Sequence, residues 1–385
     1  MIADHGKGHI ENTGAQVEAG GIVDIDAASV NNIAAHDTEE KTEEREATKG
    51  TAGINVETRF LTRPIEKYLN GQDQSVFQKG VEEALEAPSL GIDLVGSHTH
   101  RLEETTRDIA RVSQFEGNTV QALLGGHLQD EGTQYLGRDG RVNIDARSHD
   151  ATAAHTVETS LVKRLDVEGS GRVDTVTSTD INGRLMAAGG SFEEQKSSST
   201  ALPARADGTK GVGIQLGTDG RYEGTQFNSH GGVVAVKAEG SLDLGQATDT
   251  QKQTTKTLDG FGWARLGTSP DKARNIGAGG ALTHDQITRE SSTGKGVDLQ
   301  GKQAQFLAGA DFRSTGLTAG SEQPLDKIQI EAGGQADLGA GVNTSSAQGQ
   351  RLGGGIQVST STAPGSLGGG LGGHFDAGRT QERVR

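Results

Sequence analysis

Cysteine is absent from this chain of 385 residues, which excludes disulfides and thiolate chemistry without fixing a compartment. Large side chains are also scarce. Hydrophobic residues make up 32% and aromatic residues 3%, against roughly 45–50% apolar on a count that includes glycine. Adding the 59 glycines restores about the usual total, so the deficit is in bulk. A broad globular core needs Leu, Phe and Ile in quantity, whereas a thin core stacked along one axis does not. Low hydrophobicity with net charge is also the composition of disorder, but the ordered alternation described next argues against that for most of the chain. No apolar run approaches the roughly 18–20 residues of a membrane helix. The start, Met1-Ile2-Ala3-Asp4-His5-Gly6, lacks the basic and apolar segments of a signal peptide, which leads us to expect an intracellular protein or an internal piece of a longer one. The formal charge of −15 speaks against nucleic acid or an anionic membrane as an electrostatic partner.

What is present is a recurring strand pattern. A glycine is followed at offsets two, four and six by apolar residues: Gly21 by Val23, Ile25 and Ala27, Gly140 by Val142, Ile144 and Ala146, Gly232 by Val234, Val236 and Ala238, and Gly334 by Ala336, Leu338 and Ala340. Period two marks a strand with one buried face, and four copies mark an internal repeat. These twelve apolar residues are the expected repeat core. From Gly140 to Gly232 is 92 residues and from Gly232 to Gly334 is 102, far more than one solenoid rung. Each unit must therefore hold core strands and long polar hairpins.

Four segments follow. Residues 1–61 read as a first β repeat with a polar hairpin. Its run Asp37–Glu46 goes out, Gly50 turns, and Ile54-Asn55-Val56-Glu57 returns; a charged helix over Glu39–Ala47 is the competing reading. Residues 62–90 read as a helical insertion: Thr62 as N-cap, Pro64 in the first turn, and Phe77, Val81, Ala84 and Leu85 on one face. Residues 91–363 read as a β repeat array. In it Gly-Gly pairs precede a large apolar residue at Leu128, Phe192 and Leu282, and Asp207-Gly208, Asp219-Gly220 and Asp259-Gly260 signal tight hairpins. Ile356 and Phe375 follow further glycine runs. Residues 364–385 read as a glycine-rich, loosely ordered tail. The fold class is mainly β, an elongated repeat, best described as a β-solenoid with long hairpin excursions and a small helical insertion.

Val17–Ala27 followed by Ala35-His36-Asp37-Thr38 resembles the haemagglutinin-type repeats of filamentous haemagglutinin and of contact-dependent growth-inhibition exoproteins, both exported by bacterial two-partner secretion. The transition recurs in Val234–Ala238 with Gly245-Gln246-Ala247-Thr248-Asp249-Thr250 and, less closely, in Ala146–Thr152. The strand motifs cover most of residues 14–375. The resemblance implies a secreted or surface-exposed rod, an outer-membrane partner transporter during export, and contact with host or bacterial surface receptors or glycans or with an outer membrane. Lack of cysteine suits threading of an unfolded chain. No secretion domain is evident, which implies an internal or C-proximal fragment, and Arg138-Asp139-Gly140 has the letters of an adhesive tripeptide out of order.

Sites for chemistry are sparse. His98 and His100 share a strand face but lack a third ligand, so a solvated face is favoured over metal, and Glu39, Glu40, Glu43 and Glu44 read the same way. Gly372–Asp376 lacks the spacing and tandem repetition of a calcium turn. The double glycines suit close backbone approach at turns better than phosphate binding. Trp263 fits a contact platform or local hairpin packing. No cofactor, metal or catalytic residue is expected. The functional expectation is a structural and adhesive rod without enzymatic activity. One alternative is a membrane-interacting segment that helps to deliver a downstream toxin, and another is a β-helical carbohydrate-active enzyme.

Overall fold

The computed structural model describes residues 7–55, 90–175, 181–269, 272–321, 324–363 and 366–384. The chain winds repeatedly through three parallel sheets in a fixed order. Sheet I begins with Gln16–Glu18 and has seven strands, sheet II begins with Ile22–Ala27 and has seven, and sheet III, with eight, includes His9–Thr13 and Ser29–Ile33. Gln114 pairs with Gln134 and Val120 with Val142, so a plain coil takes 20 to 22 residues, rising to 24 where Gln303 pairs with Lys327. All described regular structure is β, with no helix among the described residues.

The strands form because alternate residues are small or apolar and point inward. Val23, Ile25 and Ala27 stack on Val120, Ala122 and Leu124, then on Val142, Ile144 and Ala146, in one continuous core. The narrow interior is filled at intervals by aromatic rings. Phe115 stacks on Tyr135 at 5.4 Å, and Tyr222, Phe227, Phe306 and Phe312 follow in edge or tilted contacts of 5.2 to 6.5 Å. Few aromatics are needed because each one spans much of a coil.

After every second coil the chain leaves the corner between sheets III and I for a long antiparallel hairpin. The four hairpins are Ala35–Asn55 with Leu90–Arg111, Ala154–Thr175 with Ile181–Leu202, Ala247–Ser269 with Lys272–Lys295, and Thr344–Ala363 with Ser366–Val384. Neighbouring hairpins pair with one another, giving a single eight-stranded antiparallel sheet. Two geometries coincide here. Two coils advance the solenoid by two strand spacings, about 9.5 Å, and one hairpin occupies two strand widths, also about 9.5 Å. Hairpins launched from alternate coils are therefore spaced to join without a gap.

The corners carry the choice between coil and hairpin. Where the chain turns directly from sheet III to sheet I, a glycine takes a left-handed conformation: Gly14, Gly132, Gly224 and Gly316, with φ of 56 to 70°. Three of these lie against the alanine that opens the adjacent hairpin. A Cβ on Gly14, Gly132 or Gly224 would come within 2.7 to 2.9 Å of the Cβ of Ala35, Ala154 or Ala247.

Several sequence expectations differ from this structure. The strand that stacks on Val233–Ala238 and its successor Gln303–Ala308 is Lys327–Ala332, whereas Ala336, Leu338 and Ala340 lie at or just past the end of sheet III and are exposed, Leu338 at 63%. The remaining nine expected core residues are buried in the main cluster. The run after Asp37 does not turn at Gly50; it continues as one strand to Asn55 and returns at Leu90–Arg111. The helical reading of residues 62–90 falls almost wholly outside the described residues. The glycine-rich segment taken as a loose tail is a paired strand, Ser366–Val384. Asp259-Gly260 sits inside a hairpin strand and Asp207-Gly208 ends a sheet I strand, so neither is a hairpin tip. Asp219-Gly220 is at a coil corner, because a parallel winding has no tight hairpins to make.

Candidate functional site: a hairpin sheet with one apolar face

The cross-strand registers sort the hairpin sheet into two faces. On one face, going outward from the solenoid, the aligned row Glu44, Leu102, Lys163, Glu193, Lys256, Gln286, Gln350 and Arg379 is charged or polar except at Leu102. The next row holds Glu46, His100, Leu165, Ser191, Leu258, His284, Leu352 and Ala377. Beyond it, as far as the row of Ile54, Ile92, Val173, Leu266 and Ile276, this face has no acidic or basic side chain except histidine among the described residues. Val167, Leu282 and Phe375 are followed by Ile356, then Leu94, Leu185 and Val358, then Ile54, Ile92, Val173, Leu266 and Ile276. Of 17 exposed large apolar residues in the described hairpin strands, 16 are on this face, Ile287 being the exception. Glycines run between them: Gly50, Gly96, Gly169, Gly262, Gly280 and Gly373 share one row with Ala187 and Ile356.

A monomeric soluble protein rarely exposes so continuous an apolar surface. From Leu165 to the strand end at Thr175 is 11 residues, and a strand crossing a bilayer takes about 9–11. The opposite face carries the charged side chains Asp93, Arg172, Asp174, Arg184 and Arg265 over the same length, together with Met186, Phe261 and Trp263. One apolar and one polar face, in period two, is the pattern of a strand between lipid and water.

The residues singled out in the sequence occupy other roles. His98 and His100 do share a face. Nδ1 of His98 is 2.9 Å from the Thr48 hydroxyl, and Nε2 of His100 is 2.8 Å from Oε1 of Glu44. Among the described residues, no group of three or more His, Asp or Glu is arranged to hold a metal. Glu43 is engaged by Lys41 at 2.8 Å and Arg45 at 3.1 Å, and the Lys41 hydrogen bond lowers its pKa. Trp263 is buried on the polar face, lying over Gly277 and Gly279 with the Arg265 guanidinium 5.9 Å from its ring.

One polar chain was not legible beforehand. Inside the solenoid, Asn32 donates to Oδ1 of Asp130 (2.6 Å), as does the Tyr135 hydroxyl (2.9 Å). The other Asp130 oxygen lies 2.8 Å from Nε2 of His149, whose Nδ1 is 3.2 Å from the Tyr222 hydroxyl. Burial, together with the Asp130 charge, pushes both phenols upward. The order carboxylate, imidazole, hydroxyl resembles a nucleophile relay. Asp130, His149 and Tyr222 are all buried, however, so the chain satisfies polar groups within the stack and holds coils in register.

No family model and no solved structure matches the chain. Two curated proteins do. The chain is 29% identical to a hemolysin of Serratia marcescens over 355 residues, 86% of its length, and 24% identical to a hemolysin of Proteus mirabilis over 328 residues, 80% of its length. These stretches amount to 22% and 20% of the two hemolysins, so the chain spans about a fifth of either. The likeness supports a secreted protein, and it carries the two-partner exoproteins as a group without singling out filamentous haemagglutinin among them.

Proposed function

We propose that this chain is the membrane-engaging section of a secreted two-partner exoprotein, exported through an outer-membrane transporter. The solenoid serves as the rod and the outer half of the hairpin sheet enters a target bilayer. The observation that carries this reading is the segregation of 16 exposed large apolar residues onto one face, ending at the charged row of Lys163, Glu193 and Lys256. Burying such surface in hydrocarbon gains roughly 25 cal/mol per Å², while the charged row stays at the lipid–water boundary. The similarity to two hemolysins supports the same reading. Since the chain carries a formal charge of −15, the lipid it favours is zwitterionic. In a flotation assay with phosphatidylcholine vesicles the protein should rise with the lipid; a protein that stays at the bottom of the gradient refutes the reading.

A second reading, the rod as an adhesive surface, is favoured by the outward column of sheet II, where Asp24, Gln121, Asn143, Gln305 and Gln329 are separated only by Gly213 and Ala235. Binding to intact cells that persists after the apolar hairpin face is made polar would support it.

A further inference from the structure

The apolar hairpin face is not uniform in relief. Gly50, Gly96 and Gly169 pair in register on three neighbouring strands. Together with Ala52, Leu94 and Leu185 they line a depression of about 590 Å³. The fold itself does not call for glycine at these three positions. None of them has a left-handed φ, and an added Cβ would meet nothing closer than 3.8 Å. Glycine inside a strand weakens it and often marks a place where another backbone or a ligand comes close.

The same row contains one large side chain, Ile356, which is 68% exposed. Counted from Ala35–Asn55, Ile356 lies in the seventh strand of the sheet and Gly96 in the second. A twofold axis running along the strands, between the fourth and the fifth, exchanges the second strand with the seventh and keeps each residue at its distance from the solenoid. Two copies packed face to face about that axis set each Ile356 over the Gly96 of the other. Sheets pack in this aligned manner about 10 Å apart. The charged boundary row fits the same axis. Its ends are Glu44 in the first strand and Arg379 in the eighth, and its centre is Glu193 and Lys256 in the fourth and fifth. Under the exchange each Glu44 faces an Arg379 and each Glu193 a Lys256, and no like charges meet along the row. The extent is sufficient as well. The 11 residues from Leu165 to Thr175 across eight strands cover about 1300 Å² at ~3.4 Å per residue and ~4.8 Å per strand, more than the ~800 Å² that each partner contributes to a stable interface.

We propose that in water this protein pairs with a second copy of itself through the apolar hairpin face, about a twofold axis parallel to the hairpin strands, with Ile356 of each copy seated in the glycine hollow of the other. The pairing stands beside the membrane reading above and does not depend on membrane entry. It covers in water the surface that hydrocarbon would cover, so a bilayer and a second copy compete for the same residues. Such an interface is isologous, each patch meeting its own copy, and it closes at two chains.

The test is sedimentation velocity of the full chain without lipid, from about 1 to about 100 µM, since the share of dimer rises with concentration. The wild type should pass from monomer to dimer across that range. Gly96→Leu fills the hollow while adding apolar surface, so it should weaken pairing by about tenfold or more and leave flotation with phosphatidylcholine vesicles undiminished. Glu44→Arg and Arg379→Glu should each weaken pairing severalfold, and the two together should restore it. Circular dichroism confirms that each variant keeps its β structure; if Gly96→Leu loses it, the charge exchange decides. A wild type that stays monomeric throughout, a dimer that Gly96→Leu does not loosen, or a charge exchange that fails to restore pairing would overturn the proposal. A monomer that floats with vesicles would leave the membrane reading standing, whereas a dimer that never floats would remove that reading and leave the pairing.

Discussion

An arginine at Ile356 should weaken membrane binding far more than an arginine at Leu258, although both sit on the same face. Ile356 pairs with Gly280 and Gly280 with Gly262, four residues beyond Leu258 on its strand. At about 3.4 Å per residue that separation is ~13 Å along the strand, or ~10 Å in depth at a tilt of about 40°. Leu258 belongs to the first row outside the charged boundary, whereas Ile356 lies close to the middle of the ~25 Å apolar band of a membrane strand. An arginine facing lipid costs ~2–4 kcal/mol at the midplane and ~0–1 near the interface. Vesicle partitioning should therefore fall by roughly 30- to 1000-fold for Ile356→Arg and by less than about fivefold for Leu258→Arg. In water both residues are exposed, at 68% and 39%, so stability should change by no more than about 0.5 kcal/mol. Vesicle titration with a flotation readout measures the first effect and thermal denaturation without lipid the second. Equal losses at the two positions, or no loss at Ile356, would refute the depth argument.

The solenoid supports predictions of its own. Phe227→Ala removes a ring that touches Tyr222 and Phe306 in the core and should cost about 3–5 kcal/mol, read as a lowered denaturant midpoint. Gly132→Ala must place a Cβ at φ +64°, 2.6 Å from Cγ1 of Val112 and 2.9 Å from Cβ of Ala154, so it should cost more than about 2 kcal/mol. Gly245→Ala meets nothing closer than 3.9 Å and serves as the mild control; equal effects would contradict the corner argument. Tyr135 and Tyr222 have raised pKa values in the fold, so they bind protons that the unfolded chain releases near pH ~10. Their contribution to stability is complete below that pH and is lost as pH rises above it. Ultraviolet titration should show these phenols ionising only together with loss of β circular dichroism, and ionisation in a chain that is still folded would count against their burial.

Period-two alternation was enough to find Val23–Ala27, Val142–Ala146 and Val234–Ala238, because an inward stripe requires only side-chain size at fixed spacing. The strands between them, Thr119–Leu124, Gly211–Leu216 and Gln303–Ala308, have a similar stripe, but Asn118, Lys210 and Lys302 stand where the motif has glycine. A pattern keyed to glycine thus passed over alternate coils and, in the last unit, settled on Gly334. A better marker was available in Glu131-Gly132-Thr133-Gln134-Tyr135 and Glu223-Gly224-Thr225-Gln226-Phe227, which mark two left-handed corners. The apolar hairpin face was not legible for a different reason. Leu165, Leu258 and Leu352 become neighbours on one surface only through registers joining strands from separate hairpins, and no local spacing encodes those registers. The strand Ser366–Val384 looked loose because glycine lowers strand propensity, yet it pairs with its neighbour along its whole length.

The matched spacing of coils and hairpins makes length in this protein come in steps. From Arg141 to Val233 is 92 residues and from Val233 to Lys327 is 94, each step holding two coils and one hairpin. Removing one such module would let both the winding and the hairpin sheet rejoin in phase. Removing a single coil of 20 to 22 residues would bring two hairpins one strand width apart, where each needs two, and one of them would be forced out of the sheet. Natural variants should therefore gain or lose whole modules, and an engineered shortening should cut at equivalent points such as Gly140 and Gly232, leaving a shorter rod whose hairpin sheet remains unbroken.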